Sequence, residues 1–457
     1  MGKYFGTDGV RGVANVELTT EMAAAIGRAL AFSLTETIGR RPKICIGRDT
    51  RISGSMLECA LAAGICACGG DVYLLGVMPT PAVAYLAQEE KMDAGVVISA
   101  SHNPFEHNGI KIFGGSGYKL DDEQEAEIEQ LMDDLPPEAL VSGADIGRVT
   151  DCTSEGNSRY SRHIVECAGG DLKDMRVLLD CANGAASHTA EMIFTALGAD
   201  CEFISYRPDG VNINNMCGST HMEELCRRTR EGGFDLGAAF DGDADRCLMC
   251  DENGRVIDGD DIIALLAADM HKKGTLTRGV VATIMSNMGL GAYLRPLGVD
   301  VAAVKVGDRH VLEEMRRSGS NIGGEQSGHV ILSDYATTGD GQLTAVRFMR
   351  MLKESGKKAS ELRGGIFHYP QIVVNLEVPN HFKKSVPQLD AVKELEKEIS
   401  DAFNGDGRIN IRPSGTEALV RIMVEGKDAA LVSELSEKAK KVVADAVRDL
   451  IVSSSDY

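Results

Sequence analysis

Residues 236–246 have the sequence LGAAFDGDADR, an apolar run that ends in three aspartates at alternate positions. The apolar run predicts a buried strand of an α/β sheet, and ligands of such sheets bind beyond the carboxyl ends of the strands. Alternate residues of an extended loop point the same way, so Asp241, Asp243 and Asp245 can converge on one divalent cation. Three adjacent carboxylates repel one another without a cation, which favours a Mg²⁺ site over a solvated acidic turn.

An EF-hand is the competing interpretation, because Glu252 stands at the twelfth position of such a loop. That loop needs glycine at its sixth position, where this chain has Arg246. In addition, residues 247–250 predict a strand where the loop should continue. These two departures argue against an EF-hand.

A second polar loop, SASHNP at residues 99–104, follows the apolar run 95–98. A serine hydroxyl can accept a phosphoryl group where a cation offsets the developing charge and a base takes the proton. Taken alone, however, the stretch fits an ordinary turn better, because Asn and Pro favour turns for conformational reasons.

The chain of 457 residues is long enough for three or four domains at ~100–200 residues each. Short β-branched runs alternate with helical patterns, which predicts an α/β protein of three similar α/β domains with mixed sheets. A smaller C-terminal α+β domain follows, and we expect the four domains to surround a central cleft. The predicted domains are residues 1–150, 151–254, 255–368 and 369–457. The predicted strands are 43–46, 72–75, 95–98, 110–113, 176–179, 201–204, 236–240, 280–284, 301–304, 330–332, 371–377, 408–412 and 418–425.

The charge balance is acidic, with 48 Lys and Arg against 68 Asp and Glu and a formal net charge of -20. This balance argues against a nucleic-acid partner or an anionic membrane surface, but it leaves room for a small anionic ligand. All 12 cysteines lie between Cys45 and Cys250, a poor layout for a disulfide framework. With no apolar run long enough to span a bilayer, we expect a cytoplasmic protein with reduced thiols.

Four motifs together suggest a family. SASHNP at 99–104, DGDADR at 241–246, GEQSGH at 324–329 and RPSGTE at 412–417 occur in this order, after FGTDGVRG at 5–12. With them the chain resembles the α-D-phosphohexomutase superfamily along nearly its whole length. The resemblance implies an isomerase that moves a phosphoryl group within a small phosphosugar, through a phosphoserine enzyme and a bisphosphorylated intermediate.

The resemblance also implies roles for individual residues. The catalytic residues would be Ser101, His102, Lys111 and Arg11. One Mg²⁺ per subunit would be held by Ser101, Asp241, Asp243 and Asp245, with phosphorylated Ser101 as the second prosthetic element. The substrate-binding residues would be Arg246, Lys305, Arg309, Glu325, Ser327 and His329, and the phosphate-binding residues would be Arg412, Ser414, Gly415, Thr416 and Arg421. A neutral loop role for His102 and a place on a strand face for Arg421 are the open alternatives.

Within the superfamily, the segments GEQSGH, KVGDR at 305–309 and TTGDG at 337–341 resemble the branch that acts on glucosamine phosphates. That branch feeds the synthesis of UDP-N-acetylglucosamine and cell-wall precursors, and it is compatible with a homodimer. Pro413, and Ala418 where proline is usual, depart from the pattern, so a phosphomannomutase/phosphoglucomutase is the alternative. The alternative of another class is a catalytically silent phosphosugar-binding protein.

Overall fold

A computed structural model of the chain describes residues 2–6, 8–414 and 418–455. The chain forms two compact units. The first unit comprises Met1–Thr283 and Val299–Gly364, and the C-terminal unit comprises Ile284–Gly298 and Gly365–Tyr457.

The first sheet of the first unit lies in the N-terminal third of the chain. Its strands are β1 (Val10–Val13), β2 (Lys43–Arg48), β3 (Asp71–Val77), β4 (Ala94–Ile98), β5 (His107–Gly114) and β6 (Val149–Asp151), in the order β1-β5-β4-β2-β3-β6. The helices of this region are α1 (Thr20–Ile38), α2 (Gly54–Ala67), α3 (Thr80–Glu89) and α4 (Asp122–Asp133). Apolar faces of α1 and α2 pack with β2 and β4 into one buried core.

Two further sheets complete the first unit. The second sheet has the order β11-β10-β9-β7-β8, and the third has the order β13-β12-β14-β15. The strands are β7 (Arg176–Asp180), β8 (Asp200–Ile204), β9 (Leu236–Phe240), β10 (Cys247–Asp251), β11 (Val256–Ile257), β12 (Val280–Thr283), β13 (Val301–Val304), β14 (Ile322–Gly324) and β15 (Val330–Leu332). The helices are α5 (Thr153–Cys167), α6 (Ala186–Ala196), α7 (Glu223–Gly232), α8 (Gly259–Lys273), α10 (Asp308–Ser318), α11 (Gly341–Ser355) and α12 (Ala359–Arg363), while α9 (Met288–Leu294) belongs to the C-terminal unit.

The three sheets share one topology. Strands β2, β3 and β4 run parallel, and β5 returns antiparallel beside β4. The same arrangement holds for β7, β8 and β9 with β10, and for β12, β13 and β14 with β15. In each sheet the third parallel strand therefore ends in a loop that leads to the antiparallel strand. This repetition confirms the prediction of three similar α/β domains with mixed sheets.

The C-terminal unit is built differently. Its strands β16 (Gln371–Glu377), β17 (Gly407–Pro413) and β18 (Leu419–Gly426) form an antiparallel sheet in the order β16-β18-β17. Helices α13 (Asp390–Phe403) and α14 (Ala429–Ser455) pack on this sheet, and the apolar stripe of α14 lines the core. The prediction of a smaller α+β domain is confirmed, whereas the four residue boundaries and the cleft stay predictions.

Sequence and structure differ mainly at short strands. The sequence pattern does not predict the strands β1, β6, β11 and β14. The Ile-Gly-Gly sequence of β14 carries little strand signal. The predicted strand 280–284 ends at Thr283. Among the described residues, the structure contains no helix long and apolar enough to cross a membrane.

Candidate active site

Three polar loops occupy the equivalent position in the three sheets of the first unit. Residues 99–104 follow β4, residues 241–246 follow β9, and residues 325–329 follow β14. Each loop stands at the carboxyl end of the last parallel strand, where α/β sheets bind ligands. The shared topology thus gives the three sequence motifs one structural context.

Ser101 is the buried residue of the first loop, with 2% of its surface exposed. Its hydroxyl donates a hydrogen bond to Asp241 Oδ2 at 2.6 Å, and its Oγ lies 3.3 Å from His102 Nδ1. Burial, followed by the charges of Arg246 and Arg11, lowers the pKa of His102 to about 4. His102 is therefore a neutral neighbour of the serine at neutral pH.

Three carboxylates converge beside this serine. One oxygen each from Asp241, Asp243 and Asp245 lies within 4.8 Å of the other two, and all three residues are buried. Burial, followed by the charges of Asp245 and Asp243, raises the pKa of Asp241 well above its usual value. Asp243 Oδ1 and Asp245 Oδ1 are buried without a hydrogen-bond partner among the described residues. Buried oxygens of this kind fit a hard divalent cation, so the site is suited to a metal ion.

Lys111 brings a positive charge to the same cluster. From strand β5 its Nζ lies 3.0 Å from Asp243 Oδ2, 3.2 Å from Asp8 Oδ2 and 4.0 Å from Asp245 Oδ2. Burial lowers the pKa of Lys111, but these carboxylates outweigh it and raise the pKa above the usual value. Lys111 is therefore a permanent cation, which is what developing charge on a transferring group requires.

A chain of ion pairs extends from Lys111 to the start of helix α10. Asp8 pairs with Arg11 and Lys119, and Lys119 Nζ also binds Asp308 Oδ2 at 2.6 Å. The structure thereby links Arg11 and Lys111 through a shared partner, Asp8. Asp8 and Asp308 lie inside quoted motifs, but Lys119 carries no signal in the sequence that could have assigned it to the site.

The loop after β14 carries a carboxylate, a hydroxyl and an imidazole. Glu325 Oε1 accepts a hydrogen bond from the Gly307 amide at 3.0 Å, and Ser327 Oγ is buried without a partner among the described residues. His329 is 3% exposed, with its Nδ1 3.6 Å from Asp245 Oδ2 and its Nε2 accepting from the Gly339 amide at 3.2 Å. The structure thus places the His329 ring beside one of the three clustered aspartates.

The three remaining cations predicted to bind substrate have different surroundings. Arg246 Nε lies 3.8 Å from Asp245 Oδ1, so its charge adjoins the carboxylate cluster. Lys305 is exposed. Arg309 instead donates to Asp122 Oδ1 at 2.6 Å, at the start of α4.

The C-terminal unit carries the predicted phosphate loop. Arg412 on β17 stands directly opposite Arg421 on β18, and the Ser414 amide donates to Leu419 O at 2.8 Å. Two arginines in register concentrate positive charge on one sheet face, which suits an anion. Gly415 and Thr416 lie outside the described residues.

Residues that the sequence analysis did not single out support the serine loop. Asp49 and Arg51 follow β2, the neighbour of β4, and Asn214 reaches the loop from the second domain. Asp49 and Arg51 had a usable signal, because they too are polar residues at the carboxyl end of a predicted strand. Asn214 had none, since its approach depends on how two domains meet.

The fold and the site together define a class. A buried serine hydroxyl and a carboxylate cluster lie in loops of two α/β domains, beside a lysine on strand β5, and an arginine pair lies on a separate antiparallel sheet. Such groups are suited to phosphoryl transfer on a small substrate. Four family models describe these regions, namely the phosphoglucomutase/phosphomannomutase alpha/beta/alpha domains I (residues 2–138), II (158–254) and III (258–369) and the C-terminal domain (373–442).

Full-length relatives narrow this class. The chain is 48% identical over 447 residues to phosphoglucosamine mutase of Acetivibrio thermocellus, with 97% of this chain and 99% of the relative covered. It is 49% identical over 452 residues to phosphoglucosamine mutase of Streptococcus agalactiae, with 98% and 99% covered. The chain belongs to the phosphoglucomutase/phosphomannomutase family, which confirms the resemblance to the α-D-phosphohexomutases.

Solved structures share the fold. A phosphoglucomutase/phosphomannomutase family protein of Burkholderia thailandensis superposes with a TM-score of 0.80 at 24% identity, covering 98% of both chains. N-acetylphosphoglucosamine mutase of Aspergillus fumigatus, solved with GlcNAc-6P and magnesium, superposes with a TM-score of 0.71 at 19% identity, covering 97% of this chain and 96% of that one.

Proposed function

We propose that the chain is a phosphoglucosamine mutase, which interconverts glucosamine 6-phosphate and glucosamine 1-phosphate. The observation that carries the proposal is the approach of Ser101 Oγ to Asp241 Oδ2 at 2.6 Å, inside a cluster that also contains Lys111. A nucleophilic hydroxyl, metal-type carboxylates and a fixed cation are the parts that phosphoryl transfer needs. The names of the full-length relatives support the amino sugar as substrate.

The reaction would begin with phosphorylated Ser101. Its phosphorus–Oγ bond breaks while a new bond forms between phosphorus and the oxygen of the free hydroxyl of the sugar phosphate, and in the net step the proton of that hydroxyl passes to Ser101 Oγ. The resulting bisphosphate reorients within the site. Its other phosphoryl group is then transferred to Ser101 Oγ, whose proton passes back to the sugar oxygen. Lys111 would stabilise the charge on the transferring oxygens, because it is buried and stays protonated.

We infer that Asp241, Asp243 and Asp245, with an oxygen on Ser101, hold one Mg²⁺. When bound, the ion would neutralise charge on the phosphoryl group. The unpartnered oxygens of Asp243 and Asp245 support this assignment, since a hard cation takes such oxygens as ligands.

Recognition of the rest of the substrate would fall to two other loops. Glu325 offers an acceptor and Ser327 a hydroxyl for neighbouring sugar hydroxyls. We infer that Arg412, Ser414 and Arg421 bind the phosphate that is not being transferred. Arg246 would add positive charge near the reacting phosphate.

We also infer a cytoplasmic location and a homodimer. All twelve cysteines are free, including exposed Cys59, which fits a reducing compartment. Light scattering at micromolar protein concentration tests the dimer, and a monomeric mass across that range would contradict it.

One assay tests the reaction and the sugar together. Glucosamine 6-phosphate, mannose 6-phosphate and glucose 6-phosphate are compared side by side with the same enzyme and Mg²⁺ concentration. We expect the highest kcat/KM with glucosamine 6-phosphate. A higher value with mannose or glucose 6-phosphate would favour the phosphomannomutase/phosphoglucomutase alternative.

Intact-mass measurement separates an enzyme from a silent phosphosugar-binding protein. We expect one phosphate on Ser101 after incubation with a hexose 1,6-bisphosphate, and its loss when glucosamine 6-phosphate is added. A chain that binds the sugar phosphate but never carries or transfers phosphate would contradict the proposal.

A further inference from the structure

Arg51 is a fully buried arginine beside the serine loop. The residue is 1% exposed, and its Nε donates to Asp49 Oδ2 at 2.8 Å. A buried guanidinium is costly unless its remaining donors also find acceptors. The positions of those acceptors therefore show what the arginine does in the fold.

The remaining donors of Arg51 all point to one short stretch of backbone. Its Nη2 donates to Ser101 O at 2.9 Å and to Asn103 O at 2.8 Å. Its Nη1 donates to Pro104 O, and to His107 O at 3.0 Å. Four carbonyls within seven residues are thus bound to one rigid planar group, a geometry that the single ammonium of lysine cannot reproduce.

The loop needs such support because Ser101 has a φ of 52°. A non-glycine residue seldom adopts this left-handed conformation, and its surroundings must maintain it. The amide of Ser101 is held as well, since it donates to Ser99 Oγ at 2.9 Å, and Ser99 in turn donates to Asp49 Oδ2 at 2.6 Å. Asp49 and Arg51 therefore control both the amide and the carbonyl of Ser101.

A second donor reaches the same carbonyls from the second domain. Asn214 Nδ2 donates to Ser101 O at 2.9 Å and to Asn103 O at 3.2 Å. The Ser101 carbonyl thus receives one donor from its own domain and one from the domain that carries the aspartates. These bonds direct Ser101 Oγ towards Asp241.

We propose that Arg51 is a positioning residue, which holds the serine loop in its left-handed conformation so that Ser101 Oγ stands at the aspartate cluster. Asn214 locks the same conformation from the second domain. The inference rests on the proposed function for its catalytic consequence, but the immobilisation of the loop is independent of it.

The main test replaces the planar fork by a single ammonium, with Arg51→Lys. Arg48→Lys is the matched control, because Arg48 lies three residues earlier and its Nε pairs with Glu58 Oε2 at 3.1 Å, with no hydrogen bond from its side chain to residues 99–107 among the described residues. We expect Arg51→Lys to lower kcat about 100-fold with KM within about 3-fold, since misplaced reacting groups reduce the rate rather than binding. Arg48→Lys should keep kcat within about 2-fold.

Hydrogen exchange of the peptide that covers residues 99–107 is the second readout. We expect exchange at least about 10-fold faster in Arg51→Lys than in the wild type or Arg48→Lys. Asn214→Gly, which tolerates the φ of 58° at that position, should give a smaller change in the same direction and keeps the test available if Arg51→Lys does not fold.

The outcomes separate this inference from the proposed function. Wild-type enzyme without activity on any of the three hexose 6-phosphates would overturn the proposed function, while hydrogen exchange would still decide whether Arg51 holds the loop. Unchanged exchange and kcat in folded Arg51→Lys would overturn the positioning role. Faster exchange with unchanged kcat would overturn its catalytic part.

Discussion

Two regions of this protein are built in opposite ways: the serine centre around Ser101, and the loop at residues 325–329, which we call the sugar loop after its proposed role. At the serine centre, Ser101 and Lys111 are buried and bound to carboxylates from another domain. In the sugar loop, the Glu325 carboxylate accepts one hydrogen bond, from the Gly307 amide, and Ser327 Oγ has no partner, among the described residues. The contacts of the serine centre hold its groups in one geometry, whereas the sugar loop keeps polar groups available to bind a ligand.

This difference fits the proposed reaction. Phosphoryl transfer needs groups that do not move, because the charge they stabilise appears only in the transition state. A bisphosphate that reorients inside the site must be bound in two orientations. Glu325 and Ser327 offer an acceptor and a hydroxyl that adjacent sugar hydroxyls can use in either orientation. Changes at the serine centre should therefore lower kcat, and changes in the sugar loop should raise KM.

The largest effect is expected for Ser101→Ala, which removes the atom that carries the phosphoryl group. We expect kcat to fall by about 10⁴-fold or more while the fold is kept, as for the loss of a nucleophile in other enzymes. Steady-state assays and circular dichroism measure the two properties. Ser116→Ala, at an exposed serine of the same domain, should remain fully active. Appreciable mutase activity in Ser101→Ala would refute the assignment of the nucleophile.

The next effect is expected for Asp243→Asn. Asp243 accepts from Lys111 Nζ and from Thr80 Oγ, so the substitution weakens both a metal-type ligand and the lysine contact. We expect kcat to fall about 10²- to 10³-fold and the Mg²⁺ concentration for half activity to rise. Titration of activity with Mg²⁺ measures both, and Asp200→Asn at an exposed position is the control. An unchanged Mg²⁺ response would remove Asp243 from the ligand set.

A smaller effect is expected for Glu325→Gln in the sugar loop. A bond to a charged acceptor contributes ~1.5–3 kcal/mol, so kcat/KM should fall about 10- to 100-fold. Because the sugar loop binds rather than reacts in this proposal, most of this loss should appear as a rise in KM. Initial rates over a range of glucosamine 6-phosphate concentrations separate KM from kcat, with Glu191→Gln as the control on the exposed surface of α6. A loss confined to kcat would abolish the distinction between the two regions.

The smallest effect on catalysis is expected for Asp340→Asn, in the framework beside the sugar loop. Burial raises the pKa of Asp340 to about 7, although the Leu343 amide and the Tyr160 hydroxyl donate to it. The folded protein therefore binds a proton more tightly than the unfolded chain. The contribution of Asp340 to stability should be fully present below the unfolded pKa of about 4, and should be lost as the pH rises to about 7, by up to ~1.4 kcal/mol per pH unit.

An asparagine at position 340 can still cap the N-terminus of α11, but it has no carboxyl group to titrate. We expect Asp340→Asn to flatten the decline in the free energy of unfolding between about pH 4 and pH 7, with kcat within about 2-fold. Urea unfolding at several pH values measures the slope. A slope equal to that of the wild type would show that Asp340 is ionised normally in the folded state.

Much of the site follows from local sequence. The strands before the loops at 99–104 and 241–246 are apolar runs, and the alternation of the aspartates directs them to one side. These signals are local because a buried strand and its loop are adjacent in the chain. The predicted approach of Ser101, Asp241 and Lys111 is found in the structure, while the roles of these residues stay predictions.

Other parts could not be predicted, because they depend on which elements meet. Arg309 and Asp308 are neighbours in one motif, yet Asp308 binds Lys119 beside Asp8 while Arg309 binds Asp122 on α4. One residue along a helix start turns a side chain by roughly 100°, and no pattern in the sequence records which neighbour it then contacts.

The sequence by itself determined the three α/β repeats, the smaller last domain and the motif loops, because hydrophobic periodicity and turn residues act over a few positions. Only the tertiary structure decided how the serine loop is held. Arg51 lies 50 residues from Ser101, and Asn214 lies 113 residues away in another domain. Their donors meet one carbonyl because the sheets pack so that strand ends from separate parts of the chain become neighbours.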